Sequence, residues 1–266
     1  MTMDSLAFWN SQLQLSAFVP EFDTWPPRYE ALSRATRERR GEPSRLATGD
    51  DPFQAVSRFA TGRPSHRVIF IHGGYWRRFE AADYDFVAEA AAVADAEFYN
   101  VDYRLLPGVR MADAVADAVR GVEKAMEGAE RTVVVGHSAG AHLAVEAAQR
   151  SARTPDAVLA ISGIYELAPL RSAFIQDELH LTDEEVAAFS PQTRAGALSF
   201  PVHIAAGADE SVEFCRQSAR LYDAIVTSGG TASLEFVPGR HHTAVITDLA
   251  EPDTSLTRRL VALLAG

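Results

Sequence analysis

The tightest constraint on how this chain can fold is a single junction. Arg131-Thr-Val-Val-Val135 is a β-branched run, Gly136-His-Ser-Ala-Gly140 follows at once, and the Ala-rich stretch ending at Gln149 begins with no spacer. The pattern predicts a strand over 131–136 and a helix over 138–149. The chain must then turn so sharply between them that Gly136 and Gly140 have no room for side chains. A strand that hands over directly to a helix belongs to a layered sheet whose strands are covered on both faces.

The rest of the chain repeats that alternation. Short, largely apolar runs at 67–71, 97–101, 157–161, 202–206 and 233–237 read as further strands, the first two of them buried, and 81–94, 111–126, 212–227 and about 243–264 as helices. Parallel strands joined by right-handed crossover helices give an α/β architecture, a doubly wound and mostly parallel sheet. Its 266 residues fit one domain, 1–266, with two irregular parts. Residues up to about 60 carry five prolines and the basic run Arg34-Ala-Thr-Arg-Glu-Arg-Arg40, which reads as a solvated helix face with little functional content. Residues 163–199 interrupt the alternation and read as a small helical insertion, with Thr182 as the N-cap of a short helix.

Composition narrows the partners. Lys plus Arg number 25 against 36 Asp plus Glu, a net charge of −11 that repels phosphate backbones, so nucleic acid is not an expected partner. The single cysteine, Cys215, forms no internal disulfide or thiolate cluster and reads as a small packing residue. With no leader-like start and no bilayer-length apolar run, the expectation is a cytoplasmic protein with no membrane partner. No metal-ligand spacing such as His-Glu-x-x-His occurs, and no metal or cofactor is expected.

The junction also marks the chemistry. Ser138 would project from a strained turn at a helix N-terminus, where free N–H groups favour developing negative charge. A serine hydroxyl needs a base, a group to orient the base, and an oxyanion hole. The amide after the nucleophile, Ala139, and the loop His72-Gly-Gly-Tyr-Trp76 offer that hole, with Gly73 and Gly74 free of Cβ interference. His72 reads as a brace for the loop. The order serine, acid, histidine is met by Ala208-Asp209-Glu210 after one late strand and His241-His242 before the last helix. Spacing does not choose between Asp209 and Glu210, or between His241 and His242. His137, His142 and His203 read as interior residues, while His180 in the insertion could touch a substrate.

Several blocks together resemble the serine-dependent kynurenine formamidases (arylformamidases), a branch of the α/β-hydrolases. They are His72-Gly-Gly-Tyr-Trp76, Val101-Asp-Tyr-Arg104 with Pro107, Gly136-His-Ser-Ala-Gly-Ala-His-Leu143, Ser162-Gly-Ile-Tyr-Glu-Leu-Ala-Pro-Leu170, Leu181-Thr with Ser190-Pro191, and Glu210-Ser-Val-Glu-Phe-Cys-Arg-Gln-Ser218. They span about residues 70 to 245. The resemblance implies the α/β-hydrolase fold with a small helical cap insertion, and Ser138, Glu210 and His242 as the catalytic set, with Asp209 the second choice of acid. Glu210 stands where Asp is more usual, His241 where an acid is usual, and Thr243 where an aromatic is common. It further implies hydrolysis of a small N-acyl group from an arylamine, N-formyl-L-kynurenine giving kynurenine and formate. Tyr75, Trp76, Tyr165 and Phe174 would wall the site. The alternatives are a short-chain carboxylesterase on the same fold and a non-catalytic hydrolase-like binding protein. The partner expected is a small-molecule substrate, with the chain acting alone or as a homodimer.

Overall fold

The computed structural model describes residues 3–266. Helix α1 (Met3–Leu13) leads through an irregular stretch to α2 (Trp25–Arg40) and a hairpin, β1 (Ser44–Ala47) and β2 (Ala55–Phe59). Then follow β3 (Arg63–Ile71), a 3-10 segment (Ala81–Val87) continued by α3 (Ala88–Val93), β4 (Ala96–Val101), α4 (Met111–Met126), β5 (Arg131–His137), α5 (Ala139–Arg150) and β6 (Ala157–Ile161). Two short helices, α6 (Gln176–Leu179) and α7 (Asp183–Ala188), precede β7 (Val202–Gly207), α8 (Val212–Thr227), β8 (Ala232–Val237), α9 (His242–Val245) and α10 (Ser255–Ala265).

The eight strands make one sheet in the order β1-β2-β4-β3-β5-β6-β7-β8, antiparallel at the β1-β2-β4 end and parallel from β4 onward. This is the α/β-hydrolase fold. The six apolar runs of the sequence become β3 to β8, and β4, β6 and β7 are buried along their whole length, as strands covered on both faces must be. One face carries α4, α5 and α8; the other carries α2, α3 and α10. Gly121 lets α4 close on the sheet, since a Cβ there would meet the Val101 side chain at 2.4 Å.

Three local expectations change. The helix expected over 81–94 is divided, because Tyr84 leaves helical geometry at φ −118° and ψ 16°. The last helix is broken after Ala250, where Pro252 cannot donate to a helical bond, and α10 restarts from the Thr254 cap. The basic run at the end of α2 is not simply solvated: Arg37 pairs with the buried Asp85 at 2.7 Å, and Arg39 and Arg40 hold Glu89 at 2.8 and 2.6 Å. Among the described residues no helix is long and apolar enough to cross a membrane.

Candidate active site

Parallel strands deliver their following loops to one edge, and here four of those loops converge. The loops after β3, β5, β7 and β8 carry Gly73 and Gly74, Ser138, Glu210 and His242. Ser138 sits at φ 56° and ψ −123°, in the strained turn that the flanking glycines permit. A Cβ on Gly136 would lie 2.2 Å from the Gly140 carbonyl oxygen, and one on Gly140 would lie 2.0 Å from that of Ile71. Both obstacles are backbone, so only glycine satisfies the turn. Ala139 is the first residue of α5, beside the serine.

The acid and histidine loops are clamped together. Gly207 approaches so closely that a Cβ would meet the Arg240 oxygen at 2.1 Å, and the Asp209 amide donates to that oxygen at 3.0 Å. This register points Glu210 inward and leaves Asp209 exposed. His242 Nδ1–H donates to Glu210 Oε2 at 2.7 Å, with both side chains essentially removed from solvent. Glu210 Oε1 accepts from the Gly207 amide at 2.7 Å and from the Ser162 hydroxyl. Nδ1 being the donor, His242 Nε2 holds the lone pair, and it makes no hydrogen bond among the described residues. Ser138 and His242 face one cavity without a direct bond between them, a separation that free enzymes often close only on binding substrate.

The other histidines around the site act structurally. His241 occupies the N-cap position of α9 and packs edge-on against Trp25, their ring centres 4.9 Å apart. His137 Nε2–H donates to the His242 carbonyl at 2.9 Å, and burial, reinforced by the neighbouring imidazole of His242, pushes its pKa well down. It is a neutral strut for the histidine loop. His72 Nδ1–H donates to the Gly73 carbonyl at 2.9 Å, its ring stacks on Tyr103 at 4.4 Å, and burial lowers its pKa. That braces the glycine loop. His142 accepts from Trp76 Nε1–H at 3.2 Å and donates to the Phe189 carbonyl at 2.7 Å, well occupied away from the serine.

A cavity of about 230 Å³ opens on Ser138 and His242. Of the four aromatic residues read as substrate walls, Tyr75 and Phe174 line it; Trp76 and Tyr165 do not. Trp76 is fully buried and tied to His142, and Tyr165 is fully buried against Gly163, so both are core residues. His180 is exposed and away from the cavity. Cys215 is half-buried, and burial together with the Glu210 charge pushes its thiol up to about 11, which leaves it unreactive at neutral pH.

The irregular N-terminal stretch changes status most. Leu15, Phe22, Trp25 and Tyr29 line the cavity, and the Tyr29 hydroxyl donates to the Thr243 carbonyl at 2.7 Å, beside His242. Residues 163–199 contribute only Phe174. The roof of the site therefore comes from the first thirty residues, where the sequence pattern carries no signal of it. Ser162, whose hydroxyl holds Glu210, lies within the block Ser162–Leu170, where no local pattern marks that contact.

Residues 68–199 match the family described as alpha/beta hydrolase fold. The chain is 29% identical over 212 residues to a kynurenine formamidase of Danio rerio and 30% identical over 213 residues to one of Salmo salar, in each case across 74% of this chain and 72% of the relative. In fold it is similar to a candidate thioesterase of Silicibacter sp., with TM-score 0.83 and 23% identity over 99% of this chain and 98% of that one. It is also similar to an esterase of Pyrobaculum calidifontis, with TM-score 0.70 and 18% identity over 92% of each chain.

Proposed function

Because the chain belongs to the kynurenine formamidase branch of the α/β-hydrolase family, we propose that it cleaves the formyl group from an N-formyl arylamine, N-formyl-L-kynurenine in the first instance, with Ser138 as nucleophile. The observation that carries this reading is the buried Glu210–His242 pair opening, with the strained Ser138, onto one aromatic cavity.

In the reaction, Ser138 Oγ attacks the formyl carbon while His242 Nε2 takes the hydroxyl proton. Glu210 fixes the tautomer and stabilises the imidazolium that forms. The carbonyl oxygen becomes an oxyanion, received by the amides of Ala139, Gly73 and Gly74. A Cβ at Gly73 would lie 3.1 Å from Ser138 Cβ, so that backbone is close to the reacting centre. Collapse breaks the C–N bond, and protonated His242 gives its proton to the leaving nitrogen, which could not depart as an amide anion. Water then attacks the formyl-serine, its proton passing to His242 and on to Ser138, and formate is released.

The test measures kcat/KM on N-formyl-L-kynurenine beside a p-nitrophenyl acetate series. The expected outcome is clear turnover of the formamide, abolished by about 10³-fold or more in Ser138→Ala. A negligible rate on the formamide with turnover of short esters would make the chain a carboxylesterase of this fold. Unchanged turnover in Ser138→Ala would remove the serine mechanism.

A further inference from the structure

The cavity carries a charge that deacylation does not use. Among the described residues no acidic side chain lines it, although the chain holds 36 of them, while two arginines, Arg77 and Arg78, do. Arg77 is spoken for at one end, its guanidinium paired with Glu178, and its buried Nε has no hydrogen-bond partner among the described residues. Arg78 is different: among the described residues its side chain makes no ion pair and no hydrogen bond, and it lies 5.8 Å from the centre of the Phe79 ring, itself part of the lining. An acidic protein that keeps an exposed, unpaired guanidinium on its reaction cavity, with no carboxylate among the described lining residues, presents an anion receptor there.

The backbone fixes where this side chain starts relative to Ser138. Gly74 accepts at its carbonyl from the amides of Arg77 and Arg78, at 3.1 Å each, and Tyr75, Trp76 and Phe79 all take left-handed φ values of 53°, 57° and 71°. The coil is so tight that a Cβ on Gly74 would lie 2.2 Å from the Arg78 oxygen. Strain of this kind in three large residues persists only where surrounding structure holds it. The six residues Gly73 to Arg78 thus carry the oxyanion amides at one end and, on a fixed stretch of backbone, the Arg78 side chain at the other.

We propose that Arg78 is the specificity residue of this site, receiving a carboxylate on the substrate's side chain, so that the preferred substrates are anionic acylated arylamines or aryl esters rather than neutral ones. Arg77 supports it with the unpaired Nε–H. The inference rests on the hydrolytic reading above but not on which acyl bond is broken. A guanidinium fork takes a carboxylate bidentately, which a neutral amide of the same shape cannot exploit.

The experiment uses two isosteric substrate pairs: 4-(2-formamidophenyl)-4-oxobutanoate with its primary carboxamide, and the corresponding 2-acetoxyphenyl acid with its carboxamide. Release of the arylamine or phenol is followed for the wild-type chain, Arg78→Gln and Arg78→Lys. The expected result is a carboxylate-over-carboxamide ratio in kcat/KM of about 10 to 100 in the wild type, expressed mainly in KM. It should fall toward one in Arg78→Gln and be retained in part by Arg78→Lys. A wild-type ratio near one, an unchanged ratio in Arg78→Gln, or an equal loss on both members of a pair would overturn the assignment. Should the formamides be inert while the esters show an Arg78-dependent ratio, the deformylase reading falls and the anion receptor stands. Cleavage of both formamides at equal rates does the reverse.

Discussion

At the scale of single residues, the acid shows how a side chain's role depends on where its loop is pinned. Asp209 and Glu210 are neighbours of the same charge, and spacing along the chain leaves both open. The decision is made by two backbone contacts, Asp209 N–H to the Arg240 carbonyl and Ala208 N–H to that of Val237, which turn one carboxylate outward and the other in. Resemblance pointed to Glu210 through the block that follows it, whereas no local pattern could reveal a clamp made with a loop thirty residues away. Removing its charge while keeping its shape, in Glu210→Gln, should lower kcat/KM by about 10²–10⁴-fold by denying the imidazolium its partner. Glu210→Asp, one methylene short of a 2.7 Å contact, should recover only part of that loss. Asp209→Ala should stay within about twofold, measured on whichever acyl substrate is turned over; a larger loss there would reassign the acid.

Among elements, legibility tracks burial. Strands β3 to β7 were readable because covering helices demand unbroken apolar residues, while β8, the other edge of the sheet with only Val237 buried, was read from its Leu234, Phe236 and Val237; four loops of the site hang from the ends of these strands. The hairpin β1-β2 was not readable: β1 is the sheet's edge, mostly exposed, and its Ser-Arg-Leu-Ala has neither an apolar run nor an alternation long enough to count. Of helix α2 only the basic end reads as helical, and its inner face escapes for another reason. Its buried positions are Tyr29, Ser33 and Thr36, two of them polar, so its inner face does not look like one. Yet that face joins the roof to the catalytic edge, with Ser33 donating to the Asp83 carbonyl at 2.8 Å and Tyr29 donating to that of Thr243. Tyr29→Phe leaves the buried Thr243 oxygen unpaired, and should cost about 1–2 kcal/mol in denaturant unfolding. Because Thr243 adjoins His242, activity should fall as well, by up to about tenfold and mainly in kcat. A stability loss with wholly unchanged kinetics would show that α2 supports the fold without positioning the histidine.

For the molecule as a whole, the histidines set the response to acid. Burial lowers the pKa of His72, His137 and His142, and that of His203 falls to about 4, so all four stay neutral when folded at pH values where the unfolded chain takes up protons near 6.5. A group with a lowered cationic pKa contributes stability above pH 6.5 and loses it as the pH falls toward the folded value, because unfolding then binds protons. Three carboxyls that burial pushes up, Glu80, Asp248 and above all Asp85, work the other way, and are fewer than the four histidines. Burial raises Asp85 to about 6 despite its bonds to Arg37 and Asn100, so between about 4 and 6 the folded state holds a proton that the unfolded one releases. Below pH 6.5 unfolding should take up about one to three protons net, a slope of about 1.4 to 4 kcal/mol per pH unit. Urea midpoints should therefore drop steeply from pH 7.5 to 5. His203, remote from the cavity and bonded at Nδ1 to the Ser233 hydroxyl, isolates one term of this sum. His203→Gln, which cannot be protonated, should flatten the slope by up to one proton's worth while leaving the midpoint at pH 7.5 lower or unchanged; a slope as steep as the wild type's would place the acid sensitivity elsewhere.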